Sequence, residues 1–159
     1  MSTIKIIQIV VLVLLIILGG IFIYFFTGEV PPTENPEFWI VFSQKHARDL
    51  GLNWKIAYKE MLSDLNVKKV KLITHWDLLE PERNNFYFRD LDWQLNEAQK
   101  RNVDVTLVIG MKTGRWPECH LPNWVKELSE EEQKERVLEL VEVLAVRYEE
   151  SSPIVSWGV

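Results

Sequence analysis

Residues 70–82 read VKLITHWDLLEPE, an apolar run that changes abruptly to polar and aromatic side chains. Val70–Thr74 is rich in β-branched residues, and a short apolar run of this kind is typical of a strand inside a sheet. His75, Trp76 and Asp77 follow where this strand ends, and Glu80-Pro81 closes the segment. The segment therefore predicts a buried strand with reactive side chains at its carboxyl end and a structural turn at Glu80-Pro81.

Strands and helices alternate on both sides of this segment. Apolar residues recur at helical spacing in three stretches, from Trp54 to Leu65, from Phe88 to Ala98 and from Val137 to Tyr148. Ser129 and Glu132 have the spacing of a capping box that opens the third helix. Further strands are predicted at Trp39–Phe42, Val105–Ile109 and Ile154–Trp157. The resulting order, β-α-β-α-β-α-β, implies an α/β fold with a parallel sheet and right-handed crossovers.

Two architectures share this order of elements. A doubly wound nucleotide-binding sheet needs a glycine-rich turn after its first strand, whereas residues 43–47 read SQKHA. The other architecture is the closed (β/α)8 TIM barrel, which requires about 200–250 residues. Only 133 residues follow position 26, so they predict a partial barrel of about three and a half βα units.

Charge and cysteine content exclude several classes of protein. The chain has 159 residues, with 18 basic and 23 acidic side chains and a net charge of -5. No broad cationic surface for nucleic acid is implied. Cys119 is the only cysteine, so an intrachain disulfide cannot form and the redox compartment stays undetermined.

The N-terminus carries a candidate membrane segment. Ile4–Phe26 is almost entirely Ile, Val, Leu and Phe, and its 23 residues span about 34 Å as a helix, enough to cross a bilayer core. A cleaved signal peptide is the alternative, but no small-x-small cleavage pattern follows. Lys5 precedes the span, which favours a cytoplasmic N-terminus and an extracellular domain. We expect a single-pass signal-anchor at 1–26, a proline-rich linker at 27–37 and a partial barrel domain at 38–159.

Polar and aromatic residues gather after the predicted strands. In parallel α/β proteins this edge of the sheet holds the chemistry. Trp76, Trp116 and Trp157 have the apolar faces that suit sugar rings, although packing is an equally good interpretation of each. Trp54 and Trp93 are expected to be helix residues that face the sheet or pack at its edge. Cys119, His120, His75 and His46 lack the paired spacing of a zinc site, so no metal or other cofactor is predicted.

Three motifs resemble those of cellulase-like and β-galactosidase-like (β/α)8 glycoside hydrolases. The segment 70–82, followed by Phe86–Phe88 and Leu91-Asp92, is similar to the signature after their second strand. Residues 108–124, ending in Pro122-Asn123-Trp124, and residues 154–159 look like their third loop and fourth strand. The resemblance implies a cleft for an oligo- or polysaccharide. Its substrate-binding residues would be His75, Trp76, Trp116, Glu118, His120 and Trp157.

The sequence departs from this pattern in two ways. Lys71 lies at a position where these glycoside hydrolases often carry Arg, and a lysine cannot reproduce the planar, two-pronged hydrogen bonding of a guanidinium. In these hydrolases the general acid/base Glu follows strand four, and the nucleophile Glu lies at the end of strand seven. The chain stops before both positions. Retaining hydrolysis needs both carboxylates about 5–5.5 Å apart, so we expect a truncated product with no catalytic residue of its own.

Three functions remain open at this point. The first is a membrane-anchored glycoside hydrolase that cleaves β-linked glycans by a retaining mechanism in its full-length form. The second is a non-catalytic carbohydrate-binding or cell-surface module that uses the same loops. The third is an anchored interaction protein that associates through an open sheet edge, since unpaired strand edges recruit partners. A partial barrel is also expected to be poorly stable by itself.

Overall fold

A computed structural model describes residues 3–26, 38–114, 118–150 and 153–158. It divides the chain into two compact units, 1–36 and 37–159. The first unit contains the helix α1 (Thr3–Phe26), whose 24 residues are all unburied within the structure. Its length and composition are sufficient to span a membrane. The predicted linker 27–37 lies outside the described residues.

The second unit alternates strands and helices, as the sequence predicts. Its strands are β1 (Ile40–Ser43), β2 (Lys69–Ile73), β3 (Asp104–Val108) and β4 (Ile154–Gly158). Its α-helices are α2 (Gln44–Asp49), α3 (Trp54–Asp64), α4 (Trp76–Leu79), α5 (Arg89–Gln99) and α6 (Glu130–Tyr148). A 3-10 helix covers Asn123–Glu127.

The four strands form one parallel sheet in the order β1-β2-β3-β4. Each strand pairs with the strand that follows it in the chain, so the strand order does not reverse. A doubly wound sheet, in contrast, has a reversal of strand order. Right-handed crossovers between strands that advance in one direction place the connecting helices on one face of the sheet. The fold class α/β with a parallel sheet is therefore confirmed.

The core lies between the sheet and its helices. Phe42, Leu72 and Leu107 occupy one row across the strands and are buried. Helix side chains such as Tyr58, Leu95 and Leu144 complete this layer. On the opposite face, the neighbouring row contains Val41, Lys71, Thr106 and Ser156. Val41 is 59% exposed and Lys71 is exposed as well, so none of the described helices of the second unit covers that face.

Local signals account for most element boundaries. The capping box is present, with the Ser129 hydroxyl and the Glu132 carboxylate each bonded to the other residue's backbone N–H. The strands lie within one residue of their predicted bounds at each end. The segment after β1 forms the helix α2, which was not predicted from the sequence; Ser43 Oγ accepts a hydrogen bond from the His46 N–H at 3.2 Å and caps this helix.

Candidate functional site

A cavity of about 350 Å³ opens at the carboxyl ends of β1 and β2. We call it the mouth cavity. Ser43 and Ile73 are in-register partners of these two strands, and Val41 lies two residues before Ser43 on the same face. The cavity therefore lies on the sheet face opposite the described helices of the second unit. Its lining residues are Val41, Ser43, His46, Ile73, Gly114 and Glu118.

Two histidines stand beside this cavity and join the loops that follow β2 and β3. The rings of His75 and His120 meet edge to face with centroids 4.5 Å apart. His75 Nε2 lies 3.1 Å from Ser43 Oγ. The His120 backbone N–H donates to the Met111 carbonyl at 3.0 Å, and its carbonyl accepts from the Asp77 N–H at 3.3 Å. The two loops are thus held in one arrangement.

A lysine from α2 orients the second histidine. Lys45 Nζ forms an ion pair with the Asp77 carboxylate and lies 3.3 Å from His120 Nδ1. An ammonium only donates hydrogen bonds, so Nδ1 accepts and the proton of a neutral His120 ring resides on Nε2. Nε2 lies 3.5 Å from a carboxylate oxygen of Glu118. By accepting from Lys45 at Nδ1, a neutral His120 directs its Nε2–H towards the Glu118 carboxylate, which lines the mouth cavity.

His75 is held in its neutral form. Only 3% of its surface is exposed. Burial, followed by the neighbouring His120 ring and the Lys45 ammonium, lowers the pKa of His75 to about 3. At neutral pH it is an uncharged hydrogen-bonding group beside Ser43, not a proton donor for catalysis.

Glu118 lies over the end of β2, against a glycine. Gly114 has a φ of +100°, a conformation that favours glycine. A Cβ added there would lie 3.3 Å from Glu118 Oε2 and 3.7 Å from Ile73 Cγ2. The glycine thus leaves room for the carboxylate beside the sheet. A carboxylate in this position can accept hydrogen bonds from hydroxyl groups of a ligand.

The structure brings together three of the six predicted substrate-binding residues, namely His75, Glu118 and His120. Trp76 is 0% exposed, and its indole N–H donates to Glu80 Oε2 at 2.9 Å. It packs edge to face on Trp124 with ring centroids 5.9 Å apart. Trp76 is therefore a core residue, and the packing interpretation applies to it.

The other two predicted aromatic residues are not placed in the mouth cavity. Trp116 lies outside the described residues. Trp157 is the register partner of Leu107, in the row that faces the helices, and is 42% exposed. Because register partners on adjacent strands point to the same face, Trp157 is directed away from the mouth cavity.

Glu80 has the structural role predicted for its turn. Its carboxylate is fully buried and forms a 2.8 Å ion pair with Arg136 of α6. The same carboxylate accepts a hydrogen bond from the Asn84 N–H at 2.8 Å, and the Glu80 carbonyl accepts from the Trp124 indole at 3.1 Å. Glu80 thus connects the loop after β2 to the helix α6.

The sequence predicted no site role for Ser43, and it indicated His46 only as a polar residue after the first strand and as a possible metal ligand. Their position at the end of β1 was the available signal, since that edge collects functional groups in parallel sheets. Lys45 and Asp77 were noted only as polar residues after strands, because their pairing is a contact between distant segments. Within the described part of the chain, no three His, Cys, Asp or Glu side chains are grouped to hold a metal ion.

No protein-family model matches the sequence, and no curated protein matches it. Solved structures are similar in fold. A GH5_18 protein from Streptomyces cattleya, in complex with GlcNAc, aligns with a TM-score of 0.59 and 15% identity over 80% of this chain and 34% of its own. A GH5_18 protein from Bifidobacterium longum has a TM-score of 0.57 and 14% identity over 76% of this chain and 32% of its own.

A β-galactosidase from Rahnella aligns with a TM-score of 0.56 and 17% identity, over 80% of this chain and 21% of its own. The chain thus spans about a third or less of the length of these proteins. Identities this low show similarity of fold alone. Together with the parallel sheet in sequential order, they establish that the chain has a glycoside hydrolase-like fold.

Proposed function

We propose that residues 38–159 form the sugar-binding part of a glycoside hydrolase barrel, about half of a (β/α)8 fold. The observation that carries this proposal is the mouth cavity, which opens at the carboxyl ends of β1 and β2 on the sheet face opposite the described helices of this unit. Active sites of (β/α)8 barrels lie at this end of the strands. The glycoside hydrolase-like fold of the solved neighbours supports the same assignment.

The side chains of the mouth cavity suit a carbohydrate. Glu118 supplies a carboxylate acceptor, Ser43 a hydroxyl and His46 an exposed imidazole, and these can bond to several sugar hydroxyls. Val41 and Ile73 add apolar surface for the C–H face of a sugar ring. His75 and His120 hold the surrounding loops. Trp116 stays a predicted ligand platform, since stacking on an indole suits a sugar.

Hydrolysis would need more than these residues. A retaining mechanism requires two carboxylates about 5–5.5 Å apart, and Glu118 is the one carboxylate among the described residues that line the mouth cavity. We therefore assign binding to this part of the chain, and retaining hydrolysis of β-linked glycans to a longer form with further barrel strands. The single carboxylate also favours the second candidate, a non-catalytic carbohydrate-binding module.

Glycan binding should depend on the Glu118 carboxylate. We expect Glu118→Gln to weaken binding of oligosaccharides that end in GlcNAc or β-linked galactose by about tenfold or more, because a hydrogen bond to a charged group contributes about 1.5–3 kcal/mol. The measurement is a binding titration of the full chain in detergent micelles. Glu127→Gln removes an exposed acidic residue outside the cavity and is the matched control.

Turnover of chromogenic β-glycosides by the same preparation should be absent. Equal affinity of wild type and Glu118→Gln would refute the site. Release of the chromophore would show that the chain has a second carboxylate within reach of the glycosidic bond.

We also propose that α1 anchors the protein in a membrane, with the N-terminus in the cytoplasm and residues 38–159 outside. Alkaline carbonate extraction should leave the chain in the membrane pellet. Replacing Leu14 and Leu15 by Arg should release it, since each Arg at the centre of a span costs about 2.5–3.5 kcal/mol. The Leu14→Ile, Leu15→Ile variant is the control. A soluble product shortened by the length of α1 would instead identify a cleaved signal sequence.

The outer edges of β1 and β4 are expected to promote self-association. Each is the end strand of the sheet, and unpaired parallel edges offer N–H and C=O groups to other chains. Light scattering of the full chain in micelles should show oligomers whose fraction rises with protein concentration. Replacing Val155, an exposed residue of β4, by Lys should reduce that fraction, because a charged side chain on an end strand opposes pairing with another chain. A concentration-independent monomer would contradict this expectation.

A further inference from the structure

A second cavity, of about 210 Å³, lies between the carboxyl end of β2 and the helices α2 and α5. We call it the α2–α5 cavity. Each helix presents a polar pair spaced four residues apart, Gln44 with Arg48 and Asp90 with Gln94. Residues four apart lie on one face of a helix, so the two pairs meet across the cavity. Among its other lining residues, only Ile73 also lines the mouth cavity.

Gln94 is the unusual member of this set. It is 5% exposed, and its side-chain amide makes no hydrogen bond within the described part of the chain. Gln44 is equally buried, but its amide donates to Asp90 Oδ2 at 2.7 Å. The Gln94 amide is not among the fully buried polar atoms that lack a partner, so it reaches the open space of the cavity. Its donor and acceptor are therefore available to a molecule bound there.

The charges around the α2–α5 cavity favour a neutral ligand. An Arg48 nitrogen lies 3.5 Å from Asp90 Oδ2, and Lys55 Nζ lies 3.9 Å from the other oxygen of the same carboxylate. The Asp90 carboxylate would repel an anion, while the two cations would repel a cationic group. His75, which also lines the cavity, is neutral. The side chains that line the cavity can therefore best form hydrogen bonds with ligand hydroxyls, since amide, guanidinium and carboxylate groups all bond well to hydroxyls.

The volume and the apolar wall of the α2–α5 cavity further restrict which ligands fit. The volume is below the roughly 300 Å³ at which pockets for drug-sized ligands begin, but it exceeds the space of a single bridging water, about 30 Å³ in the liquid. Leu78, Leu79 and Leu91 provide one apolar side, and Tyr87 lies at the boundary. A compound with hydroxyls around a small carbon skeleton matches both features.

We propose that the α2–α5 cavity binds one small neutral polyol of monosaccharide size, with its hydroxyls bonded to Gln94, Asp90 and Arg48. This site is separate from the mouth cavity and does not depend on the function assigned there. It would give the protein a second sugar-type ligand on the helix side of the sheet.

The test is a saturation-transfer NMR titration of the full chain in micelles with D-galactose, D-mannose and sorbitol as probes. Binding of at least one probe is expected, and Gln94→Met should weaken it about tenfold, the loss of one hydrogen bond to a buried amide. Gln99→Met changes an exposed residue of the same helix and should leave the affinity unchanged. Arg48→Gln, at a position with 45% of the side chain exposed, should also weaken binding while the protein stays folded.

Several results would overturn the proposal. One is the absence of binding by every probe while Gln94→Met melts above the wild type, which would show that the amide is only hydrated. Another is loss of probe binding in Glu118→Gln but not in Gln94→Met, which would locate the sugar in the mouth cavity. A third is Gln94-dependent binding of inorganic phosphate in place of the polyols.

Discussion

Glu80→Gln is expected to lower the free energy of unfolding of residues 38–159 by about 3 kcal/mol. Glu80 is fully buried and pairs with Arg136 at 2.8 Å, and removal of one partner from a buried ion pair costs about 3–5 kcal/mol. The loss lies at the low end of this range because Arg136 keeps its exposed partner Glu139. The NH2 group of glutamine would also replace one of the two oxygens that accept from the Trp76 and Asn84 donors, so one of these donors would lose its acceptor. Urea unfolding of the full chain in micelles, followed by tryptophan fluorescence, measures the change.

Glu139→Gln is the matched control for this prediction. Glu139 binds the same guanidinium of Arg136, but its side chain is 54% exposed. Exposed ion pairs contribute about 1 kcal/mol at most, so this variant should unfold close to the wild type. If Glu80→Gln were as stable as Glu139→Gln, the Glu80–Arg136 pair would not be what holds α6 to the loop after β2.

The free energy of unfolding should fall as the pH decreases below about 6.5, because of His75. The expected contribution of this residue is a loss of about 1.4 kcal/mol per pH unit. Burial, the neighbouring His120 ring and the Lys45 ammonium lower the pKa of His75 to about 3 in the folded protein. In the unfolded chain, this histidine binds a proton near pH 6.5. Between these values the unfolded state holds one more proton than the folded state. Acid therefore favours unfolding, and the contribution is fully present only above pH 6.5.

Comparison of His75→Gln with the wild type isolates this effect. Glutamine can keep a hydrogen-bonding nitrogen near Ser43 Oγ but does not titrate, so the slope of unfolding free energy against pH should decrease by about one proton's worth, 1.4 kcal/mol per unit. His46→Gln, at an exposed position, is the control. The groups that face His75, namely His120, Lys45, Asp77 and Glu118, stay the same in all three proteins. Identical slopes in His75→Gln and wild type would contradict the prediction.

The candidate site was only partly predictable. His75, Glu118 and His120 were identified because they follow strands of a parallel sheet, a rule that depends on position along the chain. Trp76 follows a strand in the same way, yet it is buried against Glu80 and Trp124. No local pattern distinguishes an indole that turns inwards from one that turns outwards, because the aromatic ring that covers Trp76 belongs to Trp124, a residue far away in the sequence.

The alternation of apolar periods, the capping box at Ser129 and the polar ends of the strands were sufficient to predict the α/β class, the order of elements and the apolar N-terminal helix. These features depend on residues close in the chain, where backbone geometry and burial act locally. Two features required the folded chain, the contact of Lys45 with Asp77 and His120 and the unpaired Gln94 amide between two helices. Both arise from side chains far apart in sequence, whose distances are set by how the helices pack on the sheet.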